Sequence, residues 1–119
     1  MAARLRALNT SRSTILVEDG WVANTAWTRL RGLLGHKPLR SGEGLMLRGE
    51  KAIHTVGMGF AIDVLFLDRE GFVKHSIATM PPFRASPFVS GAANVLELPA
   101  GTIARTHTEL GDRIELEYL

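Results

Sequence analysis

The sequence contains no cysteine, and this absence excludes disulfide bonds, zinc–thiolate sites and thiol nucleophiles. It also has no apolar run near the roughly 18 to 20 residues that span a membrane. The first ten residues include arginines but no uninterrupted apolar stretch, so we do not expect them to act as a signal peptide. These features predict a cytoplasmic protein without a membrane partner.

Aromatic residues are scarce, and the single tyrosine, Tyr118, is next to last. Proteins that bind single-stranded nucleic acid combine aromatic with basic side chains along one surface. No such pattern is present, and the net charge of +2 is small for a nucleic-acid-binding domain. A nucleic-acid partner is therefore not predicted.

The remaining composition is that of one globular domain. The chain has 119 residues, of which 45% are hydrophobic and 22% are charged, and this length is sufficient for a core of its own. Residues 1–12 are expected to form a flexible N-terminal tail, and residues 13–119 a single domain. The sequence does not indicate an oligomeric state.

Short apolar or alternating runs separated by turn residues recur from Thr14 onward, as in all-β proteins. Asp19-Gly20 has the composition of a two-residue hairpin turn. Three prolines between Met80 and Pro87 indicate a surface crossover, because proline cannot donate to a strand ladder. The residues Thr102–Leu110 are expected to be irregular or briefly helical, and Arg113–Glu117 alternates as a final strand.

One helix is predicted near residues 25–34. Its apolar residues recur at helical spacing, and Gly35 follows as a typical helix stop. The predicted fold is therefore mainly β: a small, predominantly antiparallel β-sandwich or barrel with one short helix packed on it.

The segment Ile53–Asp68 is central to this prediction. In Ile62–Leu67 both odd- and even-numbered positions are apolar, which is typical of a strand covered on both faces. The run nevertheless contains a carboxylate, Asp63. A charge in such a strand must be paired or hydrogen-bonded. If the residues Gly57–Phe60 form a hairpin loop, His54 lies opposite Asp63 on the neighbouring strand, within reach of a cross-strand contact.

Several blocks of this sequence together resemble the DUF192 family, a widespread prokaryotic family of small proteins without an established biochemical activity. The resemblance spans roughly residues 20–117 and implies a mostly β fold with one helix. Two positions in the predicted loop depart from the family pattern: Ala61 replaces a usual proline, and Gly59 a bulkier or basic residue. The blocks are Thr25-x-x-x-Arg29-x-Arg31-Gly32-Leu33-Leu34-Gly35, Ile53-His54-Thr55-x-Gly57-Met58, Ile62-Asp63-Val64-Leu65-Phe66-Leu67-Asp68, Val95-Leu96-Glu97-Leu98-Pro99-Ala100-Gly101 and Gly111-Asp112.

Three polar residues interrupt otherwise apolar strands: His54, Asp63 and Glu97. An imidazole and two carboxylates together are suited to general acid–base chemistry, or to a histidine–carboxylate metal site. Their spacing has no metal signature, however, so no metal site is predicted. The structural alternative is that each charge pairs with an arginine of the predicted helix, Arg29 or Arg31, and fixes the fold.

Two functional hypotheses follow. The first is a non-enzymatic module that binds a small molecule or a protein partner in a cleft between the Gly57–Ala61 loop and the Met80–Pro87 crossover. Its candidate ligand-binding residues are Arg31, His54, Met58, Asp63 and Glu97. The second is a small hydrolase- or lyase-like enzyme that uses His54, Asp63 and Glu97 as catalytic residues, with or without a metal. The sequence names no cofactor.

Overall fold

The computed structural model describes residues 3–23 and 38–119. Over these residues the chain forms seven β-strands and one short α-helix. In chain order they are β1 (Arg4–Asn9), β2 (Thr14–Ala23), β3 (Leu45–Arg48), β4 (Ile62–Leu67), β5 (Val73–Met80), β6 (Asn94–Pro99), α1 (Thr102–Thr106) and β7 (Ile114–Tyr118).

All seven strands belong to one mixed sheet with the order β5-β4-β6-β3-β2-β1-β7. Neighbouring strands are antiparallel except β2 and β3, which are parallel. The sheet curls so that its two edge strands approach each other where they begin. There, Phe72 bridges Arg113, and the amide of Ile114 donates to the carbonyl of Gly71 at 2.8 Å. The sheet is therefore a half-barrel whose edges meet at the starts of β5 and β7.

Two apolar cores lie on the two faces of this sheet. The inner core fills the half-barrel and receives side chains from every strand, namely Leu5, Ala7, Leu16, Val17, Val22, Met46, Leu65, Leu67, Val73, Leu96, Leu98 and Ile114. The outer core includes apolar residues of β3, β4, β5 and β6 and residues of the connections that cover them; its members include Leu45, Leu47, Ile53, Met58, Ile62, Val64, Phe66, Met80, Ala92 and Val95.

This arrangement explains the unusual composition of β4. Its six residues are all buried, because alternate side chains enter the inner and the outer core. The prediction of a strand covered on both faces is confirmed. The fold is mainly β, as predicted. Of the two predicted architectures, sandwich and barrel, the single sheet curled into a half-barrel is nearer the barrel, and one strand pair, β2–β3, is parallel rather than antiparallel.

Two predictions near the N-terminus are wrong. Residues 4–9 are not a flexible tail but β1, which is paired with β2 on one side and β7 on the other. Asp19-Gly20 is not a hairpin turn, since β2 continues through it. A Cβ on Gly20 would lie 2.6 Å from the carbonyl oxygen of Gly44, so the glycine permits close packing of the backbone instead.

The predicted helix near residues 25–34 lies outside the described residues, together with Arg29 and Arg31. The brief helix expected after Thr102 is present as α1. Among the described residues, no helix has the length or the apolarity needed to span a membrane.

Candidate functional site

Asp63 is fully buried in β4, and its carboxylate accepts three backbone hydrogen bonds. The amide of Thr79 donates to Oδ1 at 2.8 Å, while the amides of Gly101 and Ile103 donate to Oδ2 at 3.1 and 2.8 Å. Three N–H donors compensate the carboxylate for its burial, as a buried charge requires. The prediction that Asp63 is hydrogen-bonded is confirmed.

These donors show what Asp63 does in the fold. Gly101 is the residue that precedes α1 and Ile103 is in its first turn, and the cap residue makes no side-chain hydrogen bond of its own. Asp63 therefore caps α1 from a neighbouring strand. Its third donor, Thr79, has a positive φ of 52° at an irregularity of the β4–β5 pairing, so the same carboxylate also fixes this part of β5.

Glu97 is fully buried in β6, but it lies on the other face of the sheet. In the β4–β6 pairing, Asp63 is opposite Leu98, whereas Glu97 is opposite Val64. Leu98 belongs to the inner core and Val64 to the outer core. Because paired residues project on the same face, the sheet separates the two carboxylates.

His54 does not pair with Asp63, so the predicted hairpin register is wrong. His54 forms an isolated bridge with Ala85, and β4 pairs instead with β5 and β6. The imidazole is exposed, and its Nδ1 accepts a hydrogen bond from the amide of Val56 at 3.3 Å. The segment that carries His54 thus pairs with the crossover and not with the strand that follows it.

The structure therefore does not bring the three candidate catalytic residues together. Asp63 is buried on the inner face, Glu97 is buried on the outer face, and His54 is at the surface. Of the other predicted ligand-binding residues, Met58 is packed in the outer core, and Arg31 lies outside the described residues.

His54 does border a cavity of about 280 Å³. Its apolar lining includes Leu47 and Ile53, which both belong to the outer core. Two smaller apolar side chains, Ala52 and Ala85, complete this part of the wall, and Glu50, His54 and Ser86 supply polar groups. An apolar lining with a few polar groups is the usual composition of a small-molecule site.

The cavity exists because residues 51–56 pair with the crossover. The amide of Ser86 donates to the carbonyl of Ile53 at 2.8 Å, and the hydroxyl of Ser86 accepts from the amide of Ile53 at 2.9 Å. Next to this pair, the buried hydroxyl of Thr55 donates to the carbonyl of Pro81 at 2.6 Å and accepts from the amide of Arg84 at 2.9 Å. These bonds hold both walls in place.

A second polar cluster joins the β1–β2 turn to the segment before β7. The Asp112 carboxylate is buried and accepts from Asn9 Nδ2 at 3.0 Å, from Arg12 Nε at 2.9 Å and from the amide of Glu109 at 3.0 Å. The hydrogen bond from Arg12 is the main cause that lowers the pKa of Asp112 to about 2, against the opposing effect of burial. This cluster fixes the fold rather than forming a cleft.

Among the described residues, no group of three histidine and acidic side chains is placed to hold a metal ion. The cavity at His54 contains one histidine and one acid, Glu50. Both side chains can form hydrogen bonds with a bound molecule.

Comparison with known proteins is informative for the family and the fold. Residues 7–116 match the model of the DUF192 family, described as "Uncharacterized ACR". The chain belongs to the DUF192 family. The resemblance seen in the sequence is therefore confirmed. Among curated proteins, none matches this DUF192 chain.

Solved structures share the fold. A protein from Sinorhizobium meliloti, provisionally named a transcription regulator, is 25% identical with a TM-score of 0.77, over 97% of this chain and 93% of that one. A protein of unknown function from Novosphingobium aromaticivorans is 21% identical with a TM-score of 0.78, over 96% and 84% of the two chains. A provisionally named exported protein from Burkholderia pseudomallei is 16% identical with a TM-score of 0.50; the match covers 98% of this chain and 25% of that one.

Sequence reasoning missed most of the cavity of this DUF192 protein. Ala52, Ala85 and Ser86 have no distinguishing composition, and Glu50 lies in a polar stretch where a solvated acid is ordinary. Thr55 gives one signal. It lies in a segment with a predicted strand, and if its side chain is buried there, its hydroxyl must find hydrogen-bond partners. Those partners are in the crossover, so Thr55 indicates which segments form the walls.

Proposed function

We propose that this DUF192 protein is a small-molecule binding module whose site is the cavity at His54. The observation that supports the proposal is the composition and position of this cavity. It has a preformed apolar lining, Leu47 and Ile53, and polar groups at Glu50, His54 and Ser86. The site predicted from sequence lay between the Gly57–Ala61 loop and the crossover; the proposed site uses the same crossover but residues 50–54 instead of the loop.

The lining favours a ligand with a short apolar body and a cationic or hydrogen-bond-donating end. Among the described residues, Glu50 is the acidic side chain of the cavity, and neither a lysine nor an arginine lines it. A carboxylate beside an apolar wall attracts a positively charged group more strongly than water-exposed acids do. The volume of about 280 Å³ limits the ligand to a small molecule.

Catalysis by His54, Asp63 and Glu97 has less support than binding. A hydrolase or lyase of that kind needs its acid and base within reach of one substrate. Asp63 and Glu97 lie on opposite faces of the sheet, and both oxygens of Asp63 are engaged by backbone amides. The binding hypothesis does not require these residues to meet.

The provisional name of the S. meliloti protein raises the question of DNA binding. Three arginines near the N-terminus of this chain are engaged by acids: Arg4 by Asp19, Arg6 by Glu117 at 3.6 Å, and Arg12 by Glu109 at 2.6 Å and Asp112. A basic surface for phosphates requires arginines that are not neutralised in this way. We propose that the surface formed by these three arginines does not bind nucleic acid.

The test is a thermal-shift screen of small amines and neutral metabolites against three forms of the chain. A ligand that binds the native state raises the unfolding temperature by mass action. In Ala52→Leu three added carbon atoms narrow the cavity, so the shift should become clearly smaller. Ala78→Leu places the same side chain on the exposed part of β5 and should leave the shift unchanged.

A third variant, Glu50→Gln, separates charge from shape. It should weaken the binding of amines and leave that of neutral ligands of equal size nearly unchanged. The proposal is wrong if ligands found in the screen stabilise Ala52→Leu as strongly as the unmodified chain. It also fails if a broad screen finds no stabilising ligand for the unmodified chain.

A further inference from the structure

A second cleft, of about 400 Å³, lies between the end of α1, the β1–β2 turn and the Ser41–Gly42 loop. Its lining differs in kind from that of the cavity at His54. Among the described residues, hydroxyl groups are contributed by Ser13, Thr14 and Ser41, and the charged side chains are Glu18 and Arg105. Such a lining is suited to a small charged ligand rather than to an apolar one.

The walls of this cleft are attached to the same strand, β2. On one side, the amides of Glu18 and Asp19 both donate to the carbonyl of Gly42, at 2.8 and 3.0 Å. On the other side, the hydroxyl of Thr14 donates to the carbonyl of Thr106, at the end of α1, at 3.3 Å. Because both walls are hydrogen-bonded to β2, the cleft is formed before any ligand binds.

A β-bulge brings Glu18 to the outer surface. The pairing of β1 with β2 passes from Val17 to Ile15 without a partner for Leu16, and both Leu16 and Val17 are buried. The extra residue reverses the alternation of side chains. Ile15 and Glu18 are therefore both exposed although they are three residues apart.

The two charges of the cleft do not neutralise each other. Among the described residues, neither Glu18 nor Arg105 has an ion-pair partner. The Glu18 carboxylate lies over Gly42, with Oε2 3.7 Å from the position of a Cβ on that glycine. The guanidinium of Arg105 donates one long hydrogen bond, to the carbonyl of Ile15 at 3.5 Å, which leaves most of its five donors for a ligand.

We propose that this cleft binds a short zwitterion. Arg105 holds the carboxylate, because a guanidinium matches a carboxylate bidentately. Glu18 holds the ammonium group, and the hydroxyls of Ser13 and Ser41 are placed to accept or donate further hydrogen bonds. The opposite charges at the two ends determine the orientation of the ligand.

The position of the charges along β2 indicates the length of the ligand. Arg105 reaches the strand at Ile15 and Glu18 is three residues further on, which corresponds to about 10 Å of strand at most, because the bulge at Leu16 shortens this stretch. An α-amino acid has its ammonium and carboxylate groups on the same carbon atom and is short for this span. A dipeptide, whose ammonium and carboxylate groups are separated by a peptide unit, is the ligand class that fits.

The probe is glycylglycine, titrated into the isotope-labelled full chain while amide chemical shifts are recorded. Saturable shifts should be centred on residues 13–18, 41–42 and 105. N-acetylation of the probe removes its ammonium charge, and C-terminal amidation removes its carboxylate charge. Each capped form should bind about tenfold more weakly, since each loses one charge-assisted contact.

Two variants and two matched controls complete the experiment. Glu18→Gln and Arg105→Gln should each weaken glycylglycine binding by about tenfold, whereas Glu115→Gln and Arg69→Gln, exposed charges outside the cleft, should not. All four side chains are exposed, so the fold should survive, as the amide spectra will show. The proposal is overturned if glycylglycine causes no saturable shifts, if the capped forms bind equally well, or if Glu18→Gln and Arg105→Gln bind like the controls.

Discussion

Asp63 and Glu97 are one residue out of register on adjacent strands, and the sheet lies between their side chains. Asp63 faces Leu98 and the inner core, whereas Glu97 is paired with Val64, which packs in the outer core. Two buried carboxylates that look like one site in the sequence are thus two independent features. The role of Asp63 follows from its three backbone donors, and it can be tested separately.

Replacement of Asp63 by asparagine should destabilise the protein by about 2 to 4 kcal/mol, because a buried donor loses its charged acceptor and a side-chain amide faces a backbone amide. Urea unfolding measures this change. Asp19→Asn is the control: Asp19 pairs with Arg4 at the exposed surface, and such pairs contribute about 0 to 1 kcal/mol. A loss below about 1 kcal/mol for Asp63→Asn would contradict the capping role.

Asp112 should make the stability of the protein depend on pH in the acid range. Its pKa is about 2 in the folded state, against 3.8 for the ordinary side chain. A depressed pKa contributes stability that is fully present above the unfolded value and is lost as the pH falls through the folded value. Stability should therefore decrease from about pH 4–5 down to pH 2.

Asp112→Asn isolates this contribution. The difference in unfolding free energy between the unmodified chain and the variant should be constant above about pH 5 and shrink toward pH 2. Urea unfolding at a series of pH values gives the difference directly. A difference that does not change with pH would show that the hydrogen bonds from Arg12 and Asn9 do not depend on the charge of Asp112.

The hydroxyl of Thr55 joins the two segments that form the cavity. Thr55→Val keeps the shape but leaves the carbonyl of Pro81 and the amide of Arg84 without this partner, and should cost about 1 to 3 kcal/mol. Thr55→Ser retains the hydroxyl and should cost less. If urea unfolding shows equal losses for the two variants, the hydroxyl does not stabilise the crossover.

Closure of the half-barrel depends on a glycine at its seam, the contact between the starts of β5 and β7. Gly71 has a φ of +92°, and a Cβ there would overlap the carbonyl oxygen of Ile114. Gly111 also has a positive φ, +85°, but a Cβ there meets nothing within 4 Å. Both alanine variants incur backbone strain of about 1 kcal/mol. Gly71→Ala should lose clearly more stability than Gly111→Ala, because the seam must also open.

Unfolding free energies of Gly71→Ala and Gly111→Ala therefore form a matched pair. Amide hydrogen exchange locates the effect, since weakened closure should expose the amides of Val73 and Ile114 that cross the seam. Equal stability losses and unchanged exchange at these amides would mean that the contact between the edge strands contributes little to the fold.

Much of the fold could be predicted from local patterns. Apolar residues at both odd and even positions of Ile62–Leu67 predict a strand that is covered on both faces, because this pattern directly reflects burial on both faces. The alternation before the C-terminus likewise predicted β7. In the missed strand β1 the buried residues Leu5 and Ala7 alternate with Arg4 and Arg6, and the place of β1 in the sheet depends on partners far away in the sequence.

The candidate site was less predictable, because pairing between distant segments determines it. The burial of Asp63 indicated a hydrogen-bonded carboxylate, but its partners are backbone amides, which have no sequence signature. The prediction that His54 lies opposite Asp63 assumes that consecutive segments pair. Thr55 instead bonds to the crossover, so the histidine is directed to a different surface.

The most direct test of the proposed binding site is a crystal structure of the chain with a ligand that stabilises the unmodified protein clearly more than Ala52→Leu. We predict that the ligand lies in the cavity bordered by His54, with its apolar part against Leu47 and Ile53 and its polar end near Glu50. A ligand bound elsewhere, with this cavity empty, would contradict the account.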